Sequence, residues 1–338
     1  MKPTRSSLSR KKRSGKKGSA RARTPKKMRG GVTRRRLSQL TQQELFAALE
    51  ELPADVVKQI AKRHPLLIPP FTNITVRRAV KDYLAGGARK EDIVKKYGEI
   101  SNWDVSKVTN MFRMFYGASS FNQPLNNWDV SNVTDMWSMF DGAVSFNQPL
   151  DKWNVSSVTN MSYMFEDAEY FNQPLNKWDV SSVTNMRGVF FGASSFNQPL
   201  NNWNVSNVTN MYRMFTGAVS FNQPLNKWNV SNVSGMESMF MGARSFNQPL
   251  NDWNVCKVTS ICYTFAFANS FNQPLDNWNV SNVEYMVGMF SDARSFNQPL
   301  DKWNVSKVNN MAVMFEGARS FNQPLHAPWY VVEQSESE

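Results

Sequence analysis

The sequence predicts a repeat solenoid, a fold in which short and similar coils stack along one axis. Tryptophan recurs at a constant interval, and the motif Phe-Asn-Gln-Pro-Leu recurs in the same register from Phe121 to Phe321. Nine copies without an insertion or a deletion indicate stacked units, because one copy alone cannot bury its apolar face. The tryptophans that mark the copies are Trp103, Trp128, Trp153, Trp178, Trp203, Trp228, Trp253, Trp278 and Trp303.

Composition divides the 338 residues into four segments. Residues 1–36 contain 16 Lys and Arg and no acid, so we expect a disordered basic tail. Residues 37–102 are expected to form a helical N-terminal cap, 103–325 the repeat solenoid, and 326–338 a C-terminal cap with an acidic tip. From residue 103 onward the chain has 13 basic and 19 acidic residues. The formal charge of +12 of the whole chain therefore comes from the tail.

The basic tail suggests an anionic partner, but its spacing does not choose among several functions. Nuclear localisation, salt-sensitive contact with nucleic-acid phosphates and attachment to an anionic membrane surface all fit. A solvated tail with no dedicated partner fits as well. The residues that form its clusters are Arg10, Lys11, Lys12, Arg13, Lys16, Lys17, Lys26, Lys27, Arg34, Arg35 and Arg36.

Helix signals fill the segment from 37 to 102. Thr41 to Glu44 has the pattern of a capping box, and Pro53 suits the first turn of a second helix. Prolines at 65, 69 and 70 then indicate a linker. Apolar spacing predicts further helices over 76–84, ending at Gly86-Gly87, and over 91–97. A solenoid has an exposed apolar end, and these helices are expected to cover it.

Within each copy, apolar spacing predicts one short helix and one short strand. In copy two, Val133, Met136, Met139, Phe140 and Ala143 follow a helical period over about three turns. Gly142 stands where a left-handed residue would end that helix, and residues 150–155 read as a strand that starts after Pro149. Stacking the copies would place these strands about 4.8 Å apart in a narrow parallel sheet.

One asparagine is present in every copy, and we expect it to form a structural ladder. Its side-chain amide can satisfy backbone groups that the next coil leaves unpaired. The Asp or Asn after each repeat tryptophan, such as Asp104, can do the same; a repeated Ca²⁺ site is the alternative, although most of these residues are neutral Asn. The ladder residues are Asn122, Asn147, Asn172, Asn197, Asn222, Asn247, Asn272, Asn297 and Asn322.

The repeat Trp-Asp-Val-Ser-x-Val-Thr-Asn-Met-x-x-Met-Phe-x-Gly-Ala-x-Ser-Phe-Asn-Gln-Pro-Leu resembles the repeat unit of BspA-type leucine-rich-repeat surface proteins, first catalogued in mycoplasma lipoproteins. It covers about 103–325, and 96–103 resembles the family's lead-in. The resemblance implies a leucine-rich-repeat-like solenoid that binds macromolecules or mediates adhesion, without catalysis. The basic tail in place of an export signal favours an intracellular, nuclear or virion-associated member over an exported one.

Copy seven departs most from the repeat. Cys256 replaces serine, Ile261 replaces methionine, and Phe267 replaces the glycine, which predicts a different helix end at that point. Drift and a local binding feature both explain these changes. The two cysteines, Cys256 and Cys262, are expected to be reduced, because a secreted scaffold would usually carry more cysteines in pairs. Without a His or a further Cys nearby they also lack the spacing of a metal site.

The sequence favours a binding scaffold over an enzyme. The repeats contain no His, and no phosphate loop, nucleophile elbow or metal motif is present, so we expect no cofactor and no metal. We also expect a monomer with no transmembrane segment. The main hypothesis is a scaffold for protein interaction or adhesion, and the alternative is a nucleic-acid-associated protein held by its tail. Positions that vary between copies give the candidate partner contacts Trp137, Tyr163, Arg187, Tyr212 and Arg213.

Overall fold

The computed structural model describes Pro53, Val56 and residues 68–323. The basic tail, most of the predicted helices between 41 and 60, and the predicted C-terminal cap lie outside the described residues. Nine coils follow one another from Trp103, and we number them so that coil one starts at Trp103, coil two at Trp128 and coil nine at Trp303.

Backbone amides within each coil alternate between two kinds of hydrogen bond. The amides of Met111 and Arg113 donate to the carbonyls of Asp135 and Trp137 in the next coil, at 2.8 and 2.9 Å. The next amide, that of Met114, donates instead to the carbonyl of Met111 in its own coil at 3.1 Å and closes a turn. The chain therefore forms a solenoid in which successive coils hold one another through their backbones.

The pairing between coils is parallel but very short. Bridges link one residue per coil, beginning with Asn110 to Asp135 and ending with Tyr285 to Asn310. The sheet that the sequence predicted at residues 150–155 is wrong, because in that segment Trp153 donates to Leu150 at 3.1 Å and closes a turn. The parallel ladder lies instead at Asp135 and its equivalents, in an earlier part of the repeat.

The predicted helix over 133–143 is also wrong. Its apolar period is real, and Met136, Met139 and Phe140 are all fully buried. However, Ser138 and Gly142 both adopt left-handed backbone angles, with φ of 51° and 68°. Two such residues so close together stop a right-handed helix from propagating, so the segment becomes a series of turns with the same inward-facing residues.

Left-handed residues recur at these two positions in all the other coils as well. At the second position even Phe267 keeps a φ of 58°, so the different local conformation expected for copy seven is wrong. The amide of Phe267 donates to Ser291 at 2.7 Å, as Gly242 donates to Ala266 at 2.7 Å in the coil before. The bond to the next coil thus fixes the backbone shape even where the side chain disfavours it.

Three aromatic columns run along the interior. In the first column the ring centres of Phe140 and Phe165 lie 5.6 Å apart, and in the second those of Phe146 and Phe171 lie 5.9 Å apart. In the third column, the rings of Trp178 and Trp203 are nearly parallel at 6.5 Å. Each buried ring adds about 1.5–3 kcal/mol of hydrophobic stabilisation, so the columns account for the strict repetition of Phe and Trp.

Each repeat tryptophan also joins two coils by a hydrogen bond. The indole Nε1 of Trp153 donates to the carbonyl of Leu125 at 3.0 Å, and later coils repeat this contact. The ring is thereby buried without an unsatisfied donor, which explains why tryptophan rather than phenylalanine occupies this position.

Among residues 68–102, two helices precede the first coil. Helix α1 spans Asn73–Leu84 and α2 spans Gly87–Tyr97, followed by a 3₁₀ turn at Ile100–Asn102. Thr72 and Thr75 form a capping box at the start of α1. The apolar face of α1, with Val76, Ala79, Val80 and Tyr83, is buried, and Phe71 and Tyr97 pack around the ring of Trp103.

Helix α1 satisfies the backbone edge of coil one that has no earlier coil to bind. The side-chain oxygen of Asn73 accepts bonds from the amides of Thr109 and Asn110 at 2.9 and 3.2 Å. In coil two the equivalent amide, that of Thr134, donates to a backbone carbonyl of coil one at 2.9 Å. Asn73 therefore imitates a missing coil, and Arg77 adds bonds to Asn110 and Phe112.

Candidate protein-binding face

The candidate partner contacts lie on one outer row of the solenoid. In coil one, Met111 and Met114 point into the core, and Phe112 and Arg113 lie between them on the outside. Arg113 has a φ of 51°, and its equivalents Tyr163 and Arg213 have a φ of 56°. The left-handed turn thus places one or two neighbouring side chains of each coil on the surface, and stacking repeats this row along the solenoid.

A first cluster occupies coils one and two. The rings of Phe112 and Trp137 lie 5.1 Å apart, and Trp137 is 40% exposed. The guanidinium of Arg113 lies 4.5 Å from the ring centre of Tyr116 and 5.4 Å from that of Phe112. At these distances the positive group is attracted to the ring faces, so the cluster is ordered while its outer surface remains accessible.

A second cluster occupies coils three to five. The guanidinium of Arg187 lies between two rings, 5.4 Å from the centre of Tyr163 and 4.6 Å from that of Tyr212. Arg213 lies 5.0 Å from Tyr212 and 5.9 Å from Phe191. Among the described residues Arg113, Arg187 and Arg213 form no ion pair with a carboxylate. Their charge is therefore available to an acidic group of a partner.

Gly188 makes room for the second cluster. A β-carbon at this position would lie 2.4 Å from the Tyr163 ring, which covers the backbone of the following coil. The pair recurs once, with Gly288 beneath the ring of Tyr263 at the same separation. Sequence reasoning did not find this pairing, although a tyrosine followed by a glycine at the same position of the next repeat is a signal that could have revealed it.

A group of acids lies beside the two clusters. Burial, and then the charges of Asp141 and Asp167, raise the pKa of Glu166 to about 7, while Arg213 opposes the shift. Burial also raises the pKa of Asp141, an effect that a hydrogen bond with Ser138 and the charge of Arg113 offset in part. Arg113 and Arg213 thus lie near carboxyl groups that compete poorly for them, because burial makes those carboxyl groups costly to ionise.

We call this surface the arginine–aromatic face. The structure brings the predicted contacts Tyr163, Arg187, Tyr212 and Arg213 into one cluster, and it places Trp137 in the neighbouring one. Sequence reasoning missed several members, because only the fold shows which variable positions share a side. The full set is Phe112, Arg113, Tyr116, Trp137, Tyr163, Arg187, Phe191, Tyr212 and Arg213.

The face ends near the middle of the array. In coils six to nine the equivalents of Trp137 are Glu237, Cys262, Val287 and Ala312. Cys262 and Cys256 are both free thiols in the structure. The position of Trp137 is therefore chemically different in the two halves of the array, whereas the neighbouring position has an exposed Tyr263 in coil seven.

The repeated asparagine joins neighbouring coils. The Oδ1 atom of Asn122 accepts bonds from the amide of Asn147 and from the side chain of Gln148, both at 3.0 Å. The same pair of bonds runs through the array to Asn297, which accepts from Asn322 and Gln323 at 2.9 Å each.

The Asp or Asn after each tryptophan makes local bonds instead of the expected ladder. The Oδ1 atom of Asp104 accepts from the amide and hydroxyl of Ser106 in its own coil, at 3.1 and 2.6 Å. In the described part of the chain no three His, Cys, Asp or Glu residues converge as metal ligands. No helix among the residues described is both long and apolar enough to cross a membrane.

The fold and the regular ladders define a repeat solenoid protein. Three overlapping segments, 89–186, 170–276 and 250–337, match the family described as "Mycoplasma protein of unknown function, DUF285". Because these segments cover more than half of the sequence, the chain belongs to that family. Comparisons with curated proteins and with solved structures gave no significant match.

Proposed function

We propose that the protein is a non-enzymatic scaffold that binds a partner protein through the arginine–aromatic face. The observation that carries this proposal is the arrangement around Arg187, whose guanidinium lies between the rings of Tyr163 and Tyr212 without a carboxylate partner among the described residues. Exposed aromatic and arginine side chains dominate the binding energy of protein interfaces. A row of them on a rigid solenoid requires little ordering upon binding, which favours affinity.

The test compares three forms of the full chain. The face variant carries R187A and Y212A, and the control carries E237A and V287A at the same outer position of coils six and eight. Partners from the source organism that bind the wild type and the control are purified, and their affinities for all three forms are measured by calorimetry. We expect the face variant to bind at least about tenfold more weakly. Equal affinity for the face variant and the control would reject the proposal.

A second candidate function rests on the tail. Its 16 Lys and Arg without an acid favour an anionic partner, and we propose nucleic acid, with nuclear or virion-associated localisation of a monomeric chain. Counterion release makes such binding strongly salt-dependent. Affinity for a duplex DNA probe should fall steeply between about 50 and 200 mM salt, by on the order of 10³-fold or more, and should vanish when residues 1–36 are removed. Binding that ignores salt would argue against this function.

The narrower relationship to BspA-type leucine-rich-repeat surface proteins is also a proposal. What supports it is the repeat unit itself, with Trp153, Leu150 and Phe146 buried at fixed positions of the repeat. An adhesive role on a surface would follow from it. Immunolabelling of intact and permeabilised cells of the source organism distinguishes this location from an internal one, and labelling only after permeabilisation would exclude it.

A further inference from the structure

At the second left-handed position of the repeat, coil seven is the one coil with a large side chain, whereas the other coils have Gly or Asp. Phe267 stands where six of the nine coils have glycine, and its φ of 58° is one that bulky side chains disfavour. The phenyl ring is not buried to offset this strain, since it is 44% exposed. A large exposed ring at a disfavoured backbone angle is a reason to look for a function.

The ring forms one wall of a shallow groove on the outside of coils five to eight. The groove has a volume of about 420 Å³. Its lining includes the half-buried Val219 and Met241 and the exposed Arg244 and Arg294, and we refer to these two arginines as its rim. We call it the Phe267 groove. None of the residues that line it belongs to the arginine–aromatic face, although the groove adjoins that face, since the amide of Thr216 donates to the carbonyl of Arg213 at 3.2 Å.

Asn269 stabilises the loop that presents the ring. In the amide orientation that gives hydrogen-bond partners to both the oxygen and the nitrogen of its side chain, Asn269 donates to the carbonyls of Phe267 at 3.2 Å and Asp292 at 3.1 Å. Asn269 also occupies the same repeat position as Arg244 in the coil before and Arg294 in the coil after. The groove is therefore built by successive coils and does not depend on one flexible side chain.

The rim of the groove carries uncompensated positive charge. Within the described chain, neither Arg244 nor Arg294 forms an ion pair, and the residues that line the groove include no carboxylate. Guanidinium groups bind carboxylates through two parallel hydrogen bonds. Two such groups beside an exposed phenyl ring and a methionine match a ligand that is acidic and carries an apolar side chain.

We propose that the Phe267 groove binds an acidic peptide segment of a partner protein. An apolar side chain of the peptide packs against Phe267 and Met241, and its carboxylates pair with Arg244 and Arg294. We prefer an acidic peptide to a nucleic acid, because an apolar side chain of the peptide gives Val219 and Met241 a contact partner, which a run of phosphates does not. The departure of coil seven from the repeat is then a binding feature.

The test uses the full chain and the labelled heptapeptide Glu-Asp-Glu-Trp-Glu-Asp-Glu, with fluorescence anisotropy as the readout. The first variant, R244E/R294E, reverses the charge of the rim. The second, F267G, restores the residue that most coils have and relieves the backbone strain, so it keeps the fold. Exposed Lys152 and Lys227 lie elsewhere on the array, and K152E/K227E changes the net charge by the same amount. This control separates the loss of positive charge at the groove from the same change of net charge elsewhere on the array.

We expect saturable binding to the wild type that weakens at least tenfold in R244E/R294E and several-fold in F267G, with K152E/K227E close to wild type. Replacing the tryptophan of the peptide by glycine should weaken binding to the wild type and leave F267G unaffected. Several results would overturn the proposal: no saturable binding, equal losses in R244E/R294E and K152E/K227E, or an RNA oligonucleotide of equal charge that binds the groove as tightly as the peptide.

Discussion

At the scale of single residues, the ionisation of Glu166 beside the arginine–aromatic face affects the stability of the fold. Its carboxyl group is half-buried beside Asp141 and Asp167, and burial followed by those two charges raises its pKa to about 7. In an unfolded chain the same group ionises in its ordinary acidic range. Ionisation therefore favours the unfolded state, and the folded protein loses stability as the pH rises from 5 to 8.

We predict that E166Q is more stable than the wild type at pH 8, by on the order of 1 kcal/mol once solvent screening of this half-buried group is considered. The difference should shrink towards pH 5, where Glu166 in the wild type is largely protonated. Urea unfolding at several pH values measures it. E316Q, at the equivalent exposed position of coil nine, controls for the loss of one charge. A stability gain that is the same at pH 5 and pH 8 would contradict this account.

At the scale of elements, helix α1 takes the place of a coil that would precede coil one. The side-chain oxygen of Asn73 accepts the amides of Thr109 and Asn110, which would otherwise face a missing neighbour. We predict that N73A lowers the free energy of unfolding by about 1–3 kcal/mol, since two backbone donors lose their acceptor.

Hydrogen exchange of Thr109 and Asn110 checks this directly, and both amides should exchange faster in N73A. The matched control is I74A at the next position of the same helix, where the side chain is 64% exposed. If both variants exchange alike, Asn73 is a surface residue of the helix and not a substitute for a coil.

The elements also show what a sequence can and cannot predict in such a protein. The length of the repeat, the buried positions and the helices before coil one follow from the sequence, because repetition and apolar spacing directly reflect burial. Helical spacing at 133–143 was misleading, since a series of turns with left-handed residues at Ser138 and Gly142 buries the same side chains. The apolar period alone does not show whether the backbone amides bond within a helix or to the next coil.

The candidate face was predictable only in part for a related reason. Variation between copies pointed to Trp137, Arg187 and Tyr212, because positions free of core packing are free to differ. It did not reveal Arg113 or Tyr116, whose row becomes visible only when the turn geometry is known. Nor did it reveal that Glu166 lies close enough to Asp141 to change its ionisation.

At the scale of the whole molecule, stability is distributed along one dimension. Each coil contacts its immediate neighbours through backbone bonds and stacked rings, so the cost of a substitution depends on how many neighbours the coil has. Phe196 in coil four stacks on Phe171 and Phe221, at 6.1 and 6.0 Å. Phe321 occupies the same repeat position in coil nine and, within the described chain, stacks on the ring of one neighbouring coil, that of Phe296 at 6.0 Å.

These two phenylalanines provide a matched test of that one-dimensional behaviour. We predict that F196A lowers the free energy of unfolding by about 3–5 kcal/mol, as large-to-small changes in a core do, and that F321A costs less than half as much. In F196A, faster hydrogen exchange should extend through coils three to five, whereas in F321A it should be confined to coil nine. Guanidinium unfolding followed by hydrogen exchange measures both quantities. Equal losses of stability at the two positions, or exchange that rises uniformly along the array in either variant, would mean that the coils unfold as one cooperative body. In that case binding at the arginine–aromatic face can influence the Phe267 groove.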